Sequence, residues 1–215
     1  MAELIRGLDA ARVRRNLERV REEIAAAGRD PGDVELLAAV KYVPLEEMHV
    51  LADAGIGLVG ENRAQDLEAK ATAHPDLTWD FIGHLQSRKV RQVLPHVRYV
   101  HSVASDSVLR ELGRHGGPGT EVLVEVNVAG EEHKSGVAPA ELDEVIARCP
   151  VAVVGLMTMP PLAERPEDSR RWFAALAELA AERGLRHLSM GTSQDYLVAV
   201  QEGATIVRLG TTLYR

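Results

Sequence analysis

Short apolar or β-branched runs recur along this chain at 34–40, 57–60, 79–83, 98–103, 121–128, 152–157, 186–190 and 205–209. Helical patterns fill nearly every gap, near 45–54, 62–72, 86–94, 105–114, 139–147, 167–183 and 194–201. No other feature constrains the fold as much. Strands separated by helices are joined by crossovers, and crossovers make a sheet parallel. The runs are rich in Val, Leu and Ala, and several lack polar alternation, as expected where helices cover a parallel sheet. An open doubly wound sheet and a closed (β/α)8 TIM barrel both satisfy strict β/α alternation, and eight strand candidates favour the barrel. The 215 residues lie near the lower limit of about 200 for such barrels. The expectation is therefore one α/β barrel domain over 1–215 with short loops. An extra N-terminal helix precedes it, from about Leu8 to Ala27. There Val13, Leu17, Val20 and Ile24 share one face, and Gly28 and Pro31 end the helix. Trp172, Leu176 and Leu179 also fall at helical spacing and are expected in the core.

Composition removes several function classes. The net charge of −7 argues against nucleic acid or an anionic membrane as the main partner. The single cysteine, Cys149, rules out an internal disulfide and suits a reducing compartment. The longest apolar run, Val151 to Met157, falls far short of the roughly 20 residues of a membrane helix. The N-terminal residues carry no apolar signal-peptide core. A cytoplasmic protein is expected. The eight histidines show no HExxH and no dense Cys/His/Asp spacing, so no metal site is indicated. A GxSxG elbow, a GxxxxGK[ST] loop and a GxGxxG after a strand are all missing.

Active groups of such barrels sit at the C-terminal ends of strands. Lys41 ends the first run, in "LLAAVKYVP" (36–44). Counting by two, it shares a face with Ala39 and Leu37. If that face looks inward, Lys41 stands at the mouth, where burial would favour the neutral amine needed for Schiff-base chemistry. The alternative is a strand-end lysine that reaches out to water. Gly191-Thr192-Ser193 follows the seventh run and precedes a helix from about Gln194 or Asp195. It reads as a phosphate turn or as a simple N-cap at Ser193. Arg208-Leu209-Gly210-Thr211-Thr212 ends the eighth run, and the loops after strands seven and eight are the recurrent phosphate site of barrels. Arg208 shares a face with Ile206, and an inward arginine is costly unless partnered. Asn62 reads equally as a ligand contact or, three residues before Gln65, as a helix cap. His84 lines the mouth or caps the next helix. Lys134 follows the fifth run, in a loop where lysines are usually solvated.

Those segments, with "VGENRAQDL" (59–67), "WDFIGHLQSRK" (79–89), "VLVEVNVAGEEHKSG" (122–136), "VVGLMTMPP" (153–161), "LSMGTSQD" (188–195) and "TIVRLGTTLY" (205–214), give the chain a family resemblance over almost its whole length. It resembles the pyridoxal-phosphate homeostasis proteins, which are similar to the N-terminal barrel of alanine racemase. The resemblance implies a fold-type III barrel holding pyridoxal 5′-phosphate (PLP), with Lys41 as the Schiff-base lysine. It places Ser193, Gly210 and Thr211 at the phosphate, with Met190 and Gly191 in the same segment. It sets Arg208 against the pyridine nitrogen and Asn62 near the cofactor. Lys134 matches a lysine linked to cofactor handling, and His84 is a further mouth-side candidate. Two features depart from the family. Val43 stands where many members carry a second lysine, and Leu213-Tyr214-Arg215 replaces an aromatic-Gly ending.

An arginine at the ring nitrogen can only donate hydrogen bonds. It keeps the pyridine unprotonated and weakens the ring as an electron sink. The expected function is a non-catalytic PLP carrier or buffer in intracellular PLP homeostasis. Its expected partners are PLP and apo forms of PLP-dependent enzymes, and the chain is expected to be a monomer. A PLP-dependent amino-acid racemase is the alternative, and it would need an added β-rich domain for which the chain leaves no room. A barrel aldolase or isomerase using Lys41 on a phosphorylated metabolite is a third reading.

Overall fold

The computed structural model describes residues 4–215. Its strands are β1 (Glu35–Ala39), β2 (Leu58–Glu61), β3 (Thr78–Phe81), β4 (Tyr99–Val103), β5 (Glu121–Glu125), β6 (Ala152–Met157), β7 (His187–Thr192) and β8 (Ile206–Leu209). They pair in sequence order, all in parallel, and close when β1 meets β8. The helices are α1 (Ala10–Ala26), α2 (Met48–Asp53), α3 (Ala64–Ala73), α4 (Val90–Val93), α5 (Asp106–His115), α6 (Leu142–Arg148), α7 (Arg170–Glu182), α8 (Tyr196–Gln201) and α9 (Thr211–Tyr214). The molecule is the expected (β/α)8 barrel with α1 ahead of it. No helix among the described residues is long and apolar enough to cross a membrane.

Strand alternation sorts the side chains into two layers. Leu37, Tyr99, Leu123, Met157 and Ile206 fill the barrel interior, with Leu58, Ile82 and Val154 against them. Ala38, Val40, Val59, Val100, Val122, Val124, Val207 and Leu209 point the other way, into the layer beneath the helices. Fully burying one Leu or Val contributes about 1.5–3 kcal/mol, so both layers hold the strands. Gly60 makes the interior layer possible, because a Cβ there would lie 2.4 Å from Leu37 Cδ2 and 2.9 Å from Ile82 Cδ1. In α1, Val13, Leu17, Val20 and Ile24 are buried as expected. The Asn16 amide donates to the carbonyls of Leu213 and Arg215, both at 3.0 Å, and so ties α1 to the last helix.

Several local expectations are corrected. In α7 the buried residues are Phe173, Leu176 and Ala180, spaced three and four apart. Trp172 lies one step round the helix, half-buried, with the Arg171 guanidinium 4.3 Å from its ring centre. The pattern at 86–94 breaks into a 3-10 turn (Ser87–Lys89), α4 and a second 3-10 turn (Leu94–His96). Pro95 lacks the N–H that an α-helix would need there. The run at 121–128 is strand only to Glu125, after which Val126 makes an isolated bridge to Val137. The run at 186–190 extends to Thr192.

Candidate functional site

The C-terminal ends of β1, β2, β7 and β8 surround a cavity of about 430 Å³. Lys41, Asn62, Ser193, Arg208, Gly210 and Thr211 all line it. Six positions picked from strand ends in the sequence thus converge on one space. Ala39 and Ile82 line it from the barrel interior, and Ile5, Tyr42, Met159, Thr192, Gln194 and Tyr214 complete its wall.

Lys41 follows β1 on the face of Ala39 and Leu37, as period two requires. Its side chain is exposed, so the expected desolvation of the amine does not occur. Its Nζ lies 5.1 Å from the centre of the Tyr42 ring. The turn that carries it is pinned on both sides. Ile5 N–H donates to Tyr42 O at 2.8 Å, and Val43 N–H to Val40 O at 3.0 Å.

Asn62 does not cap α3. Arg63 is the N-cap residue and makes no side-chain capping bond. Asn62 Oδ1 is instead buried without a hydrogen-bond partner among the described residues. An orphaned acceptor in a cavity wall costs about 1–3 kcal/mol unless a donor reaches it. The turn that holds Asn62 is built by its neighbour: the fully buried Glu61 accepts the N–H groups of Asn62 and Arg63 at 2.7 and 3.3 Å.

Ser193 is not the N-cap of α8 either, since Asp195 takes that position. Asp195 Oδ1 accepts Thr192 N–H at 2.8 Å and the Thr192 hydroxyl at 3.1 Å, which closes the turn. Ser193 Oγ faces the other turn and accepts N–H from Gly210 at 3.1 Å and from Thr212 at 3.2 Å. The two phosphate-type turns therefore form one surface of hydroxyls and backbone N–H groups. Gly191 lets the first turn pass close to α8. Its φ is +89°, and a Cβ there would lie 2.6 Å from Ala199 Cβ.

Arg208 does point inward, and it is 6% exposed. Its guanidinium donates to Ser189 O (2.9 Å), Ser189 Oγ (2.7 Å) and Thr158 O (2.9 Å), and it lies 2.9 Å from Met159 Sδ. These partners are neutral. Burial pushes its pKa down to about 10, and the more distant carboxylates of Asp195 and Glu125 only partly oppose that. The group still carries its charge near neutrality and presents it at the cavity floor.

Four sequence-based assignments, Met190, Gly191, His84 and Lys134, do not line the Lys41 cavity. Met190 is fully buried in the layer between barrel and helices. It alternates with the inward Ser189, so its side chain cannot line the cavity. His84 is exposed and does not line the cavity. Lys134 is bound to Glu131 and to Met159 O at 3.3 Å. It borders a neighbouring cavity of about 450 Å³ with Met159, Thr192, Gln194, Gly191 and Arg208, and not the one that holds Lys41. Among the described residues no group of three or more His, Cys, Asp or Glu side chains could hold a metal ion.

Comparison with known proteins gives the chain a family. Residues 8–215 match the family described as alanine racemase, N-terminal domain. The pyridoxal phosphate homeostasis protein of Aquifex aeolicus is 42% identical, covering 94% of this chain and 96% of its own. That of Pseudomonas aeruginosa is 41% identical, covering 91% and 90%. PipY of Synechococcus elongatus PCC7942, solved with PLP bound, is 32% identical with a TM-score of 0.78, covering 94% of this chain and 100% of its own. Alanine racemase of Corynebacterium glutamicum shares the fold at 20% identity, with a TM-score of 0.71. With relatives this similar over nearly their full length, the chain belongs to the pyridoxal phosphate homeostasis protein family, built on the alanine racemase N-terminal barrel.

Proposed function

We propose that the chain binds PLP in the Lys41 cavity and serves intracellular PLP homeostasis as a carrier or buffer, acting as a monomer. The observation that carries this reading is the convergence of Lys41, Asn62, Ser193, Arg208, Gly210 and Thr211 on a single cavity. The residues suit the cofactor one by one. The Ser193 and Thr211 hydroxyls and the Thr211 N–H are donors for a phosphate, on a turn that the Gly210 and Thr212 N–H bonds to Ser193 hold in place and with the Arg208 charge nearby. Asn62 Oδ1, otherwise orphaned, offers an acceptor to a ring hydroxyl. Arg208, which can only donate, would face the ring nitrogen. Lys41 would hold the cofactor through its aldehyde, and the bound cofactor would supply an electron-withdrawing ring. The relative solved with PLP bound supports PLP as the ligand.

The carrier reading is favoured over a racemase by what faces Lys41. Racemisation needs proton transfer at both faces of the substrate carbon, by groups within about 2.6–3.2 Å of the proton or one water away. Among the described residues the other ionisable groups lining the cavity are Tyr42, Arg208 and Tyr214. Tyr42 belongs to the turn of Lys41 itself. Tyr214 spends its proton on Ala39 O at 3.2 Å, and burial drives its pKa upward. Arg208 is a donor only.

The test pairs two assays on PLP-loaded protein. One screens common amino acids for racemisation and transamination, and the other follows reactivation of a PLP-depleted enzyme. The expected result is no enzyme-like turnover, with reactivation faster than free cofactor release allows. Stereochemical inversion lost in Lys41→Ala would establish the racemase, and no reactivation would remove delivery from the proposal.

A further inference from the structure

The barrel interior beneath the cavity carries a buried polar chain that the cofactor site does not use directly. Asp80, His101 and Ser189 are all 0% exposed. Arg208 Nη1 donates to Ser189 Oγ at 2.7 Å. His101 Nδ1 lies 2.9 Å from that same oxygen, and His101 Nε2 lies 3.1 Å from Asp80 Oδ2. Asp80 in turn accepts Arg98 Nε at 3.1 Å, Arg98 Nη2 at 2.8 Å and Tyr99 N–H at 3.2 Å. Arg98 is also gripped by both oxygens of Glu35, each at 2.8 Å. The chain runs from the cavity floor to the opposite end of the barrel, where β1 and β3 begin.

Counting protons sets the direction of each bond. Arginine only donates, and a serine hydroxyl has one proton to give. Asp80 can only accept, so the imidazole proton sits on Nε2 and is donated to it. In the neutral ring Nδ1 is then an acceptor, and it takes the Ser189 hydroxyl proton while Ser189 Oγ accepts from Arg208. Burial disfavours a second proton on His101, as do the Arg208 and Arg98 charges, and Asp80 offsets this only in part. Asp80 stays ionised because the His101 and Arg98 bonds and charges outweigh its own burial. A fully matched buried network of this kind admits one arrangement.

We infer that His101 is a positioning residue for Arg208: as the Nε2–H tautomer it orients the Ser189 hydroxyl, whose lone pair then fixes the guanidinium beneath the cavity. The inference rests on the proposed placement of Arg208 against the cofactor ring. Without the hydroxyl, Arg208 keeps the Ser189 and Thr158 carbonyls and Met159 Sδ and can swing between them.

The test is a double-mutant cycle on the full chain, read by equilibrium dialysis of PLP and by the absorption spectrum of the bound cofactor. Nitrogen-15 shifts of the histidines in cofactor-free protein give a third readout. Ser189→Ala is expected to lose roughly tenfold in PLP affinity, the usual cost of a hydrogen bond to a charged group. Its spectrum should move in the direction that Arg208→Met moves it, and Ser189→Thr should restore both. The double variant should bind PLP no more weakly than Arg208→Met alone, because Ser189 acts only through Arg208. In cofactor-free protein at pH 7, His101 should be the Nε2–H tautomer, held by Asp80, and its Nδ1 shift should move in Ser189→Ala, where that nitrogen loses its donor. Losses that add in the double variant, or a His101 protonated on Nδ1, would overturn the inference. So would a Ser189→Ala variant that matches wild type while Arg208→Met does not, which leaves the placement of Arg208 standing. If Arg208→Met itself matched wild type, that placement would fail and the inference with it.

Discussion

Lys70 Nζ lies 2.6 Å from Glu61 Oε2, and the two side chains are only 7% and 0% exposed. The same Nζ donates to Val40 O at 2.8 Å. Val40 immediately precedes Lys41, and Glu61 immediately precedes Asn62, so this ion pair joins the two turns that carry those residues. Removing one partner leaves a buried charge unpaired, at about 3–5 kcal/mol. Lys70→Met should therefore lower the melting temperature by roughly 6–20 °C, at about 2–4 °C per kcal/mol for a chain of this size. Replacing both residues by apolar groups of similar volume should cost far less. Thermal unfolding followed by circular dichroism decides, and equal losses in single and double variants would show that the pair is not the cause.

Ser193→Ala removes the acceptor of the Gly210 and Thr212 N–H groups and a hydroxyl of the phosphate surface. Each of Ser193→Ala and Thr211→Ala should weaken PLP retention about tenfold or more, given about 1.5–3 kcal/mol per bond to a charged group. Equilibrium dialysis measures this. Unchanged retention in both variants would move the phosphate elsewhere.

Arg208 is surrounded by acceptors, the carbonyls of Ser189 and Thr158 and the Ser189 hydroxyl. A carboxylate in its place would face these oxygens without a donor. Arg208→Glu should consequently lose stability by several kcal/mol on urea denaturation, whereas Arg208→Gln, which keeps two donor hydrogens, should fold and bind PLP with an altered visible spectrum. A stable Arg208→Glu variant with an unaltered spectrum across pH would show that Arg208 does not face the ring.

His101 makes stability pH-dependent. Its folded-state pKa is lowered by burial, so between that value and about 6.5 the unfolded chain binds a proton that the folded chain refuses. Stability then falls as pH drops below about 6.5 and is level above it. His187, lowered mainly by its own burial, adds to the same window. Melting temperatures between about pH 7.5 and pH 5 should decline, and His101→Gln should flatten the decline. An unchanged slope in that variant would mean that His101 is protonated in the folded state.

The strands were legible because a helix-covered parallel strand is apolar on both faces, and the eight runs coincide with β1 to β8 to within a few residues. Lys41, Ser193 and Arg208 were legible for a related reason, being polar groups at the ends or on the inward face of otherwise apolar runs. Helix faces were less so. Trp172 and Phe173 are adjacent and equally apolar, and only the packing of α7 chooses between them. The roles of Asn62 and Ser193 turn on which neighbouring side chain closes each turn, Glu61 in one and Asp195 in the other. Asp80, His101 and Ser189 were missed, although each interrupts an apolar strand at an inward position, which is the signal that picked out Arg208. Met190 shares the phosphate-side segment, but its alternation with the inward Ser189 points it outward. The short α9 had no pattern of its own, only four residues after Gly210.

The most direct test is borohydride reduction of PLP-loaded protein followed by peptide mapping. Lys41 is the cavity lysine, and its amine makes no hydrogen bond or ion pair among the described residues. The account predicts a yellow protein whose visible band disappears on reduction, with the pyridoxyl group on the peptide containing Lys41, and no label in Lys41→Ala, which still binds PLP more weakly. A protein that stays colourless with added PLP, or a label on Lys70, Lys89 or Lys134, would contradict it.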